Sequence, residues 1–130
     1  MKLVLRLSRA VAESVLRNMQ LILFQAEVDN GLSGAAATVD FAAHSKQVIT
    51  VNQDTTITIG ALPGRGNFQL RIVQNGVGGH AVTIAGLSAN KWIAAAAQPA
   101  VNLNPEGESL LSIYNDGLAT RQSLVKVGAV

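Results

Sequence analysis

The chain contains no cysteine in its 130 residues. Disulfides and thiolate chemistry are therefore excluded, and the fold must be held by its core alone. Aromatic residues make up only 4% of the sequence, so that core must be built mainly from Val, Ile, Leu and Ala. Charge is sparse as well, at 14% of residues against the ~25% of an ordinary soluble domain. A lone monomer usually carries more charge for solubility, so part of the exterior is expected to be covered by other subunits. Ten Lys/Arg against eight Asp/Glu leave a net charge of +2, too small an excess for a nucleic-acid footprint. Long apolar runs are missing too. The longest candidate, Met19–Ala26, is interrupted by Gln20 and Gln25 and falls short of the ~18 residues of a membrane helix. Arg6, Arg9, Glu13 and Arg17 break any hydrophobic stretch of a secretory signal. Neither a membrane span nor a signal peptide is expected.

What is present divides into two grammars. Leu3, Leu5 and Leu7 alternate with Lys2, Val4 and Arg6, a strand-like start. From Ser8, a reasonable N-cap, Ala12, Val15, Met19, Ile22 and Ala26 recur at spacings of three and four. This is a two-heptad apolar seam suited to an oligomer interface or anchor, or to one amphipathic helix lying on its own domain. Residues 21–28 also fit a strand, because Ile22, Phe24, Ala26 and Val28 alternate. Asp29-Asn30-Gly31 reads as the break that ends the arm.

Beyond Gly31 the chain reads as all β. Strands are expected over Ala37–Phe41, Gln47–Val51, Thr55–Ile59, Phe68–Gln74, His80–Ala85, Trp92–Ala94, Leu110–Asn115 and Gln122–Val127. Turn signals every 8–12 residues or so predict a mainly β fold, an antiparallel β-sandwich or jelly-roll-like domain over residues 31–130, with residues 1–30 a short N-terminal helical arm. Asn52-Gln53-Asp54 and Asn75-Gly76 suit hairpins, and Asn115-Asp116-Gly117 closes another turn. A parallel α/β fold is disfavoured because no helical period separates the strands.

Residues able to do chemistry are few. His44 and His80 stand outside any metal-ligand spacing, so no metal is expected. Ser33 is one residue short of a nucleophile elbow. Glu106 and Glu108 could pair as in a glycosidase, but they sit in a loop after Pro105 and read as a solvated tip. Gly76-Val77-Gly78-Gly79 lacks the following Lys-Ser/Thr and helix of a phosphate loop. No catalytic residue, cofactor or small-molecule substrate is expected, and the chain is not read as an enzyme.

In order, the chain presents Val73-Gln74-Asn75-Gly76-Val77-Gly78-Gly79, Ala81-Val82-Thr83-Ile84, Lys91-Trp92, Gln98-Pro99 and Ile113-Tyr114-Asn115-Asp116-Gly117. This series resembles a β-motif of tailed-bacteriophage virion proteins, including tail fibres, head fibres and capsid decoration proteins. The likeness covers roughly residues 37–120 and leaves out the first 30. It departs from the usual pattern in having Ile84-Ala85-Gly86 where a Trp-Pro is common, and Ile93–Ala97 in place of a Gly-rich segment.

The resemblance implies a virion structural protein, homotrimeric, assembled in the cytoplasm of a bacterial host. A tail fibre normally needs a long shaft and an attachment domain, for which 130 residues leave no room. A capsid decoration (cement) protein is therefore expected, with the major capsid protein or another virion protein as partner. The alternative is a tail-fibre or receptor/glycan-binding module using Pro63–Asn67 and Asn102–Glu108, for which Trp92 is the one serious sugar-stacking residue. Otherwise Trp92 is a core residue.

Overall fold

The computed structural model describes residues 11–14, 26–42 and 44–128. Its strands are β1 (Val28–Leu32), β2 (Ala36–Val39), β3 (Lys46–Val51), β4 (Thr55–Ile59), β5 (Gly66–Gln74), β6 (Val82–Ala85), β7 (Glu108–Asn115) and β8 (Thr120–Val127). Apart from a helical turn at residues 11–14, the described chain is β structure and loops. The fold is mainly β.

Successive strands alternate between two sheets. The larger has the order β1-β3-β5-β7-β8 and the smaller β2-β4-β6. β1, β3 and β5 run parallel, as do β2, β4 and β6. The chain thus winds as a coil, each turn laying one strand in each sheet. Only the end departs from this: β7 returns antiparallel to β5, and β8 antiparallel to β7.

The parallel winding corrects the antiparallel expectation. Parallel strands need a long crossover, most often a helix; here the crossover is a strand of the other sheet. Asn52-Gln53-Asp54 and Asn75–Gly79 therefore close no hairpins. They are corners that carry the chain from the large sheet to the small one. Side chains of the first bond to the neighbouring corners of the coil: Asn52 Oδ1 accepts from Gly34 N at 3.0 Å and Asp54 Oδ1 from Ala81 N at 2.8 Å. Asn115-Asp116-Gly117 does form a hairpin, between β7 and β8.

Two further local expectations change. Asp29-Asn30-Gly31 ends no element. It lies inside β1, where the register against β3 shifts between Asp29 and Leu32, as at a bulge. The strand expected over Trp92–Ala94 reduces to one bridge, Trp92 to Gln122, and Ala94 takes φ 58°.

One core lies between the sheets. Ile57, Ile59 and Val39 come from the smaller; Ile49, Val51, Leu70, Ile72, Leu111, Ile113 and Leu124 come from the larger. Alternation produces this directly, since Thr55, Ile57 and Ile59 are buried while Thr56 and Thr58 are exposed. Phe41 and Phe68 meet with ring centroids 5.4 Å apart, and Trp92 and Val101 enter from loops. Each fully buried Leu, Ile or Phe contributes about 1.5–3 kcal/mol relative to exposure, which lets an aliphatic core replace aromatic bulk.

Candidate functional site

Loops gather at the two ends of the coil. At one end lie the corners around Ser33, Asn52 and Asn75, with the 102–107 loop. At the other lie Pro63–Gly66, Gly86–Ser88 and the β7–β8 hairpin. Gly66 of β5 pairs with Asn115 and Val73 pairs with Glu108, so β5 spans from one end to the other. A nine-residue strand at about 3.3 Å per residue separates these ends by roughly 30 Å. The loops Pro63–Asn67 and Asn102–Glu108 are thus on opposite ends and do not form one surface.

The corner end is organised by the glycine-rich turn. Asn75 Oδ1 accepts from Val77 N and Gly78 N, both at 3.1 Å. Gly79 N donates to Leu103 O at 2.7 Å, and Glu106 N to Asn75 O at 2.9 Å. Gly78, at φ +72°, lies so close to the facing loop that a Cβ would sit 2.6 Å from Pro105 N and 2.7 Å from Leu103 O. The turn is a docking point between two loops, with its N–H groups directed at protein acceptors.

Two open grooves occupy the other end. One, of about 430 Å³, is lined by Ile59–Leu62, Gly86–Ser88, Asn115 and Gly117–Thr120. Its lining contains no titratable side chain, and its Ser88 and Thr120 are bound to each other. Ser88 N donates to Thr120 Oγ1 at 2.9 Å and Thr120 N to Ser88 Oγ at 3.2 Å. The second, about 570 Å³, is lined by Ser45, Lys46 and Pro63–Phe68. Asn115 Nδ2 donates to Gly64 O at 2.8 Å, tying the loop between the grooves to the hairpin.

Five charged groups among the described residues are paired within the fold. The Arg71 guanidinium bridges Glu27 and Glu108; hydrogen bonds to Glu27, then Glu108, push it above its ordinary range. Glu27 is held low, chiefly by its hydrogen bond from Arg71. In the β7–β8 hairpin the Asp116 carboxylate accepts from Leu118 N and Ala119 N and pairs with Arg121. Its pKa lies far below the usual carboxylate range, first through the Ala119 N–H, then Arg121, then the Leu118 N–H.

The residues singled out from sequence are scattered. His44 precedes β3 at the groove end, while His80 sits at the corner end with Nε2 3.1 Å from Asn75 Oδ1. Among the described residues no three His, Cys, Asp or Glu gather as a metal site, and no helix is long and apolar enough to cross a membrane. Ser33 is buried, with Oγ 3.0 Å from Gly34 O. Glu108 belongs to the Arg71 pair, whereas Glu106 is exposed with φ 58°. Trp92 is 9% exposed and part of the core cluster. Of the apolar seam, Ala12 lies in the helical turn and Ala26 precedes β1, both exposed; Val15, Met19 and Ile22 lie outside the described residues.

Sequence reading passed over a set of glutamines that stitch loops to strands. Gln74 Nε2 donates to His80 O at 2.7 Å, and His80 N donates back to Gln74 Oε1 at 3.1 Å. Gln98 does the same for the edge of β6, accepting from Ile84 N at 2.7 Å and donating to Val82 O at 2.8 Å. Gln47 reaches Asp40 O at 2.6 Å and His44 O at 3.1 Å; Gln122 reaches Ser88 O at 2.7 Å. The signal was available for Gln74, which continues the buried phase of Phe68, Leu70 and Ile72. A polar residue on a core face must bring its own partners.

Comparison with protein-family models, with characterised proteins and with solved structures gives no match. The likeness to virion proteins therefore rests on the residues quoted above.

Proposed function

We propose that this chain is a structural protein of a tailed-phage virion, a capsid decoration protein that binds the head shell as a homotrimer and stabilises it. The observation that carries the reading is the ordered series Val73–Gly79, Ala81–Ile84, Lys91-Trp92, Gln98-Pro99 and Ile113–Gly117, together with what those residues do. Gly78 permits a close approach of two loops, Gln98 closes a strand edge, Trp92 fills the core, and Asp116 ties a hairpin. All serve shape. A non-enzymatic role fits a chain that spends its distinctive residues this way.

The glycan-binding alternative loses its main support. Trp92 is packed inside, and the two loops that would frame a site sit at opposite ends of β5. Antibody labelling of virions tests the proposal directly. Label on the head supports decoration, label on the tail replaces it with a fibre role, and label on neither removes the virion reading. Deleting residues 1–25 should abolish trimerisation or head binding; a truncated chain that still decorates heads refutes the anchoring role of the arm.

A further inference from the structure

An exposed strand edge offers a row of unpaired N–H and C=O groups to any other strand, and folded proteins blunt such edges. The two sheets of this fold end in β1, β8, β2 and β6, and blunting devices can be read at three of them. In β1 the register shift at Asp29–Leu32 interrupts the ladder, and Asp29 Oδ1 takes the Gly31 N–H at 2.8 Å. At β6 the Gln98 amide occupies both Ile84 N and Val82 O. Along β8, Ile93 N donates to Gln122 O at 2.8 Å and Gln122 N to Lys91 O at 3.2 Å. Further along β8, Lys126 shares the phase of buried Gln122 and Leu124, an inward-phase charge of the kind that deters pairing.

Among the described residues β2 has none of these devices. Its sequence, Ala36-Ala37-Thr38-Val39, contains no charge and no proline. Its register against β4 runs without a shift from Ala36–Thr56 to Val39–Ile59. Thr56 N donates to Ala35 O and Gly60 N to Val39 O, so odd-numbered residues direct their backbone toward β4. Alternation then directs the N–H and C=O of Ala36 and Thr38 to the outer side, where they have no partner among the described residues.

We propose that the outer edge of β2 is a strand-addition site, and that its occupant is residues 2–8 of a second copy of this chain. That segment, Lys2-Leu3-Val4-Leu5-Arg6-Leu7-Ser8, has the period-two pattern that an added strand requires. Laid against β2, Leu3, Leu5 and Leu7 extend the apolar phase of Val39, while Val4 and Arg6 share the solvent side of Thr38. The neighbouring copy is favoured by where the arm leaves its own domain. Glu27, next to β1, is paired with Arg71, a residue out of phase with buried Leu70 and Ile72 and so on the face of the large sheet away from β2. The inference rests on the homotrimer part of the reading above and names how copies join, not what they join to, so a wild-type monomer removes both while a failure of head labelling leaves it standing.

Thr38→Pro tests it. The N–H removed points away from β4, so the internal ladder keeps its bonds while the edge loses a donor and gains a ring. The full chain should be an oligomer by sedimentation and Thr38→Pro a monomer with a melting temperature within a few degrees. A wild-type monomer, or a Thr38→Pro oligomer of unchanged size, overturns the proposal. Because the chain has no cysteine, cross-linking gives a reading that does not depend on the proline variant folding. Chains carrying Val4→Cys or Arg6→Cys are mixed with chains carrying Thr38→Cys and oxidised. Disulfide-linked dimers should exceed by at least tenfold those formed with exposed Leu118→Cys as partner. Equal yields overturn the site. Linkage only within a single doubly substituted chain overturns the second copy as occupant.

Discussion

Three glycines of one short turn should respond to alanine in three different ways. At Gly76 an added Cβ meets nothing within 4 Å and φ lies outside the left-handed region. Alanine there restricts the unfolded chain more than it disturbs the folded one, so Gly76→Ala should fall between neutral and about 1 kcal/mol stabilising. Gly79 has φ +78° in open space, so alanine costs only the left-handed backbone, about 1–2 kcal/mol. Gly78 combines φ +72° with backbone atoms of residues 103–105 at 2.6–2.9 Å from the new Cβ. Backbone cannot rotate aside as a side chain can. The docked loops must separate, adding an overpacking cost of about 1–3 kcal/mol to the backbone cost, for a total of about 2–5 kcal/mol. Urea unfolding with a common slope measures all three. In a domain of this size the Gly78 change should lower the melting temperature by roughly 10–20 °C. A Gly78→Ala variant no less stable than Gly79→Ala would refute the close approach and the loop docking with it.

The Gln98 amide acts as a one-residue neighbour of β6, so Gln98→Leu should leave Ile84 N–H and Val82 C=O without their partner. The expected loss is about 1–3 kcal/mol, with faster aggregation in light scattering because an edge has been opened; unchanged stability and solubility would show that water replaces the amide. The Asp116 carboxylate has a depressed pKa in the folded state, so its stabilisation is fully present above the unfolded value of about 3.9 and is lost as pH falls through the folded value. Thermal melts of wild type and Asp116→Asn should therefore differ at neutral pH and converge in strong acid, and a gap constant with pH would contradict the hairpin role of Asp116.

Strand positions were legible because burial here follows simple alternation. Thr55–Ile59 shows this well, with Ile57 and Ile59 buried and the threonines at 56 and 58 exposed. Pairing direction was not legible, for a physical reason. Asn52 and Asp54 have the chemistry of hairpin turns, yet their side-chain oxygens serve Gly34 N and Ala81 N in adjacent corners, and nothing local reveals which acceptor use will win. β1 was hidden because its Asp-Asn-Gly reads as a stop, while the larger sheet accommodates it as a bulge. Among candidate functional residues, the sequence distinguished Trp92 and the Gly76–Gly79 turn but could not say that the loops flanking Pro63 and Pro105 lie at opposite ends. That separation depends on β5 spanning the molecule.

The winding of the strands also bears on how the chain reaches its shape. Paired residues within the coil, such as Val28 with Gln47 or Gln47 with Leu70, are roughly twenty residues apart in sequence, so each ladder closes a sizeable loop before it is rewarded. The β7–β8 hairpin is the exception, joining Asn115 to Thr120 at little entropic cost, and such hairpins form in about 1–10 μs. The costliest closure among the described ladders is β5 on β7, which joins residues as far apart as Gly66 and Asn115, so the coil and the finished hairpin gain structure more cheaply apart than together. The docking of the coil onto the hairpin along β5 and β7 is then the expected late step of assembly, and the seam between those two strands is the one that earlier contacts protect least.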